Sequence, residues 1–229
     1  MNRAKNIIKS VLMIVLFYGI NFYAWDWLVS KRWLSPAFAS SAVYIVLFFI
    51  AILLFGKDLK RQWKAFKKEI NWKFFLKIIL WAGLGVLLSI VFVYLGGLIF
   101  PDGGGTQNQE NLDQMSQAIP PLLSLILMAV FAPIIEELTF RHAFLSSVPE
   151  KNKVLLVVLS ILSVIAFDKI HIADPFTMPS QAIEFFYYLG LTLALTSFYF
   201  YGKRNIWYSI CLHSFLNTAG FILMSLGRI

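Results

Sequence analysis

The stretch FAPIIEELTFRHAF, residues 131–144, decides how the chain is read. It sets two adjacent glutamates, an arginine and a histidine into an otherwise apolar segment. On a soluble helix such residues are unremarkable in cost. At the centre of a bilayer each charge costs at least about 2.5–3.5 kcal/mol. Either the segment belongs to a soluble protein, or a membrane helix keeps these charges for a purpose.

Composition selects the second reading. The 229-residue chain is 59% hydrophobic and 17% aromatic, with a mean hydropathy of +0.73. Soluble domains average about 45–50% apolar. Outward from 131–144, apolar runs long enough to cross a bilayer recur in both directions. Spans are predicted at about 7–29, 37–55, 74–100, 119–148, 153–172, 181–201 and 206–226. The predicted fold is all-α, a polytopic integral membrane bundle of about seven transmembrane helices. It divides into an N-terminal part, 1–118, and a four-helix core, 119–229. The N-terminal part holds three spans, a basic inner linker at 56–73 and a polar outer loop at 101–118. The single cysteine, Cys211, lies in an apolar run, so there is no disulfide framework and the thiol reads as a small buried hydrophobe.

The net charge of +8 is unevenly placed. With the N-terminus inside, the inner side collects Arg3, Lys5, Lys9, the cluster from Lys57 to Lys77, Lys151, Lys153, Lys203 and Arg204. The outer side keeps Lys31, Arg32 and Arg228, and the loops 101–116 and 173–180 carry no basic residue. This asymmetry predicts N-in, C-out. It also speaks against a nucleic-acid partner and for membrane lipid. No signal-peptide cleavage site follows the first apolar run, so that run is expected to stay as a span. In the linker, Trp63, Phe66 and Ile70 fall at helical spacing beside Lys64, Lys67 and Lys68, which predicts a short helix on the anionic inner leaflet. The absence of eukaryotic targeting signals points to a bacterial plasma membrane.

Polar residues inside the spans fall in three clusters: EELTFR in the fourth, FDKIH at the end of the fifth and HSFLN in the seventh. At about 100° per residue, Glu137 and Arg141 share a helix face and can pair, whereas Glu136 lies about 140° from Arg141. One carboxylate thus has a built-in counterion, which suits a structural role. Glu136 has none, which suits a general base or acid. Phe167 with His171, and His213 with Asn217, are each four apart and so share a face. His213 and Asn217 offer an imidazole and an amide suited to stabilising an oxyanion, and His171 a partner for a nucleophilic water. Asp168 or Asp174 stands within three residues of His171 and is placed to fix its tautomer. Asp168 and Lys169 also fit the outer interface, as do Asp26 and Glu184, and His142 reads as packing. On residues alone, the three clusters favour a buried functional site over scattered packing residues, and leave both a protease and an ion or proton transporter open.

In order along the chain, E-E-x-x-x-R, F-x-x-x-H and H-x-x-x-N resemble the signature of the CAAX-protease and bacteriocin-processing (CPBP, or Abi) family of intramembrane endopeptidases. The resemblance covers about residues 119–222. It implies peptide-bond hydrolysis in a cavity formed by the last four helices, with Glu136 activating water, His171 assisting, and His213 and Asn217 holding the oxyanion. Glu137 and Arg141 match the remaining motif positions, as supporting residues alongside Phe167. The DKI between Phe167 and His171 departs from relatives, which place small or apolar residues there. Glu136, His171 and His213 form a His₂Glu set of the type that holds zinc with one open position. The H-E-x-x-H signature is absent, and the family's structural picture resembles a metal-free glutamate protease, so no metal or other cofactor is expected. The implied substrate is a peptide or protein, either a lipidated CAAX tail or a leader peptide of a bacteriocin precursor. The alternative is a non-catalytic membrane partner, such as a bacteriocin immunity or signalling protein. Counting residues along the spans puts Glu136 at mid-membrane, His213 nearer the inside and His171 towards the outside.

Overall fold

The computed structural model describes residues 3–100, 118–172 and 179–227. Most of the polar loop 101–118, together with Asp174, Arg228 and the greater part of the loop 173–180, lies outside the described residues. Every regular element among the described residues is helical. We number seven helices: α1 (Arg3–Tyr18, continued through Gly19–Ala24 and Trp25–Ser30), α2 (Pro36–Phe66), α3 (Trp72–Ile99), α4 (Pro121–Ile126, Leu127–Phe131, Ala132–Glu137 and Leu138–Ala143 in succession), α5 (Lys153–Lys169), α6 (Pro179–Tyr201) and α7 (Ile206–Ser225). Six of them are long and apolar enough to cross a membrane. The other, α5, has 17 residues, about the lower limit for a span. Large apolar side chains cover the outside of the bundle: Leu53 is 84% exposed, Leu80 71% and Val154 76%. In water such a surface would be a liability, and in lipid it is the solvated face. The chain is an integral membrane protein.

Local chemistry sets the helix ends. Proline opens α2 and lies in the first turn of α4, where its missing N–H costs nothing. Three asparagines cap helices at one end of the bundle. Asn71 accepts from the amides of Lys73 and Phe74, Asn152 from Leu155 and Asn205 from Trp207. At that same end Lys9 Nζ donates to Leu54 O (2.8 Å), Asn205 Nδ2 to Gln62 O (3.1 Å), and Arg204 to the carbonyls of Leu145 and Val148 (3.0 and 2.8 Å). The start of α1, the end of α2 and the turns after α4 and α6 therefore meet at one face, as seven alternating spans require.

The basic linker differs from expectation. Its first part is not a separate surface helix but the last turns of α2, whose 31 residues reach about 46 Å at 1.5 Å per residue. That exceeds a hydrocarbon core of about 30 Å, so the helix carries its lysines out of the membrane. Phe66 is buried against Phe74, Trp207 and Tyr208, and Trp63 packs edge-on against Trp207. Packing partners, rather than lipid, take the aromatic face.

Helices α3 and α6 lie close together through small residues, with Ser89 Oγ donating to Tyr187 O at 2.7 Å. A Cβ at Gly190 would collide with the Ser89 backbone. Gly190→Val is therefore expected to destabilise the fold by about 1–3 kcal/mol or more, read as earlier thermal unfolding in detergent. An unchanged transition would mean that the two helices are not in such close contact.

Candidate active site

Helix α4 is not a regular α-helix. Two stretches, Leu127–Phe131 and Leu138–Ala143, widen into π-helical turns, in which each amide bonds one residue further back. In the first, the Ala132 amide bonds Leu127 O, and residue 133 is a proline with no amide proton. Met128 O is thereby released from the ladder. Asn217 Nδ2 on α7 donates to it at 2.8 Å. In the second, the Phe140 carbonyl accepts from Ser163 Oγ on α5. Each widened turn thus lends a main-chain acceptor to a neighbouring helix, and α4 is fixed between α5 and α7.

The segment between the two wide turns carries the glutamates. Glu137 is fully buried, and its Oε1 accepts from Arg141 Nη1 at 3.0 Å, the i, i+4 pair expected from spacing. The same oxygen lies 2.9 Å from His213 Nδ1. A carboxylate can only accept from that nitrogen, which assigns its proton to Nδ1. His213 Nε2 points the other way, 3.6 Å from Glu136 Oε2. Glu136 is 3% exposed, and its Oε1 accepts from the Tyr44 hydroxyl at 3.1 Å. One imidazole from α7 therefore stands between the two adjacent carboxylates of α4.

Phe167 packs the other side. Its ring lies edge-on to His213 (5.7 Å) and to Phe140 (5.4 Å), tilted against His171 (4.6 Å), and under the Arg141 guanidinium (4.4 Å). His171 lies just beyond the end of α5, with its ring against Tyr188 at 4.5 Å. Its Nδ1 meets the Phe167 carbonyl at 2.9 Å, one of the acceptors that a helix end leaves unsatisfied. That bond, rather than Asp168, which is turned to Thr192, sets the tautomer and leaves Nε2 as an acceptor. The structure thus joins Glu136, Glu137, Arg141 and His213 directly, brings His171 to them across the Phe167 ring, and ties Asn217 to α4 about two turns away from Glu136.

Other expectations need correction. Asp168 is fully buried and accepts from Thr192 Oγ1 at 2.6 Å, while Arg141 Nη2 reaches Thr192 O at 3.4 Å. The aspartate that departs from the motif thus belongs to a buried network on α6, whereas Lys169 is exposed. Glu184 is also buried rather than interfacial. His142 packs edge-on against Phe55, with Nε2 3.9 Å from Asp58, and takes no part in the cluster. Among the described residues no three histidine, cysteine, aspartate or glutamate side chains converge as a metal site would require. A cavity of about 810 Å³ opens at the end bearing the asparagine caps, lined among others by Arg61, Lys77, His142 and Lys203. None of the four catalytic candidates lines it.

Sequence reasoning missed Tyr44, because a lone tyrosine in an apolar span reads as packing and its partner lies 92 residues away. It also missed Thr192 and Ser163, which act through backbone and hydroxyl groups that have no spacing signature.

Searches among curated proteins and among solved structures return no significant match. Residues 118–219, from just before α4 into α7, match the family model described as type II CAAX prenyl endopeptidase Rce1-like. The matched segment holds the buried glutamate–histidine–arginine cluster, and over that segment the chain is similar to this family of CAAX-type endopeptidases.

Proposed function

We propose that the protein hydrolyses a peptide bond by attack of a water that Glu136 activates, without a metal. The observation that carries this reading is the His213 imidazole held between the two carboxylates, Nδ1 on Glu137 and Nε2 towards Glu136. The charge count supports it. Two carboxylates and one guanidinium leave a net negative charge in a buried cluster, which is costly. One further proton, shared between Glu136 and His213, makes the group neutral.

In the reactive form that proton is on His213. Glu136 Oε2 takes a proton from water as the water oxygen bonds to the carbonyl carbon, and His213 Nε2–H donates to the developing oxyanion. Asn217 uses one amide proton on Met128 O and has a second for the same oxygen. Glu136 then passes its proton to the leaving nitrogen as the C–N bond breaks, giving a new carboxyl and a new amine. His171, with Nε2 free to accept, orients the water from the far side of Phe167. Glu137 and Arg141 hold His213 in place. The substrate is a peptide whose tail lies in or beside the bilayer, lipidated or part of a leader, and the cavity flanked by His142 is its approach from the inner side.

The test is hydrolysis by the purified chain in proteoliposomes, using quenched peptides with a prenylated CAAX tail or a leader sequence. Cleavage is expected, and it should persist after a strong chelator. Ion flux without cleavage of either peptide would overturn the reading. Loss of activity on chelation, restored by zinc, would overturn its metal-free form.

A further inference from the structure

We infer that Tyr44 of α2 is a positioning residue for Glu136, making the N-terminal half of the chain part of the hydrolytic site. This rests on the proposed role of Glu136. Tyr44 lies outside residues 118–219 that match the family, so no motif leads to it.

A carboxylate has two equivalent oxygens on a soft final torsion, and rotation exchanges them. At Glu136 the equivalence is broken. Oε1 accepts from the Tyr44 hydroxyl at 3.1 Å, and Oε2 is turned to His213 Nε2 at 3.6 Å. The phenol therefore decides which oxygen faces the imidazole. The hydroxyl reaches this point because α2 is fixed against α4 one turn further on, where Phe48 stacks on Phe131 at 4.1 Å and 8°. The charged and titratable groups around Glu136 are His213 from α7, Tyr44 from α2, and Glu137 and Arg141 from its own helix. Of these, Tyr44 donates to Oε1. A neutral donor suits this place. It restrains the carboxylate without adding a fixed positive charge that would compete with the water for the proton-accepting oxygen.

Tyr44→Phe keeps the ring and removes the donor. Losing a hydrogen bond to a charged group should lower kcat roughly tenfold to a hundredfold with KM little changed. Replacing Tyr44 by 3-fluorotyrosine, which keeps the hydroxyl, should retain wild-type turnover. A second readout needs no substrate. In the full chain labelled with ¹³C-glutamate, the infrared carboxyl band that Glu136→Gln abolishes should shift in Tyr44→Phe. If Tyr44→Phe does not accumulate, the fluorotyrosine protein carries the test, since its stronger donor should also move that band. A band unmoved in the variant measured, or a Tyr44→Phe kcat equal to wild type, would overturn the inference. Activity surviving in Glu136→Gln would instead defeat the underlying reading of Glu136.

Discussion

Glu136→Gln should lose peptide cleavage by about 10²–10⁴-fold or more, the range by which a positioned general base accelerates a reaction, while the protein still folds. The amide is nearly isosteric with the carboxylate, and its oxygen can still accept from Tyr44 in place of Oε1. What disappears is the basic oxygen facing His213 Nε2. Because Glu136 is not the partner of Arg141, the buried Arg141–Glu137 ion pair stays intact. Turnover per folded molecule should collapse while thermal unfolding in detergent stays close to wild type. The separation of the two readouts carries the argument, since a merely structural glutamate would lose both together.

Arg141→Ala should show the opposite pattern, with folded protein lost first. The guanidinium is fully buried, bonded to Glu137, extended to Thr192 O and set over the Phe167 ring. Removing it leaves the Glu137 carboxylate without its cation, a loss of about 3–5 kcal/mol for a buried pair. Against a total stability of about 5–15 kcal/mol, much of the folded population should go, seen as aggregation on size exclusion and earlier unfolding. Glu137→Gln should also lower the folded population, since it leaves the buried Arg141 guanidinium without its anion even though it keeps an acceptor for His213. Combining the two should restore part of the stability lost in Arg141→Ala. A double variant no more stable than Arg141→Ala alone would show that the pair is not the source of the loss.

Much of this architecture was legible before any coordinates. Hydropathy located all seven helices to within a few residues, except at the ends of the second, which runs on to Phe66, and of the fourth, because lipid imposes long apolar runs and leaves few alternatives. The i, i+4 rule correctly paired Glu137 with Arg141, since that geometry is local. It left Glu136 without a charged partner on its own helix, and in the structure Glu136 turns to Tyr44 and His213. What escaped depended on contacts between helices. The rule treated α4 as regular, so nothing suggested that Pro133 and a widened turn would free Met128 O for Asn217. Asp168 and Glu184 looked interfacial because they fall near span ends, yet both are buried, Asp168 against Thr192. Tyr44 resembled any aromatic residue of an apolar run, because a single hydroxyl among rings has no period to detect. The aromatic face of the α2 extension had the right pattern for a membrane surface and was claimed instead by Trp207 and Tyr208.

The most direct measurement is an experimental structure of Glu136→Gln with a trapped peptide in a lipid nanodisc. The account predicts the scissile carbonyl between α4 and α7, its oxygen turned to His213 and Asn217, and an ordered water between its carbon and the side chain at position 136. A peptide bound elsewhere, with no water path from position 136 to any of its amide carbons, would contradict it.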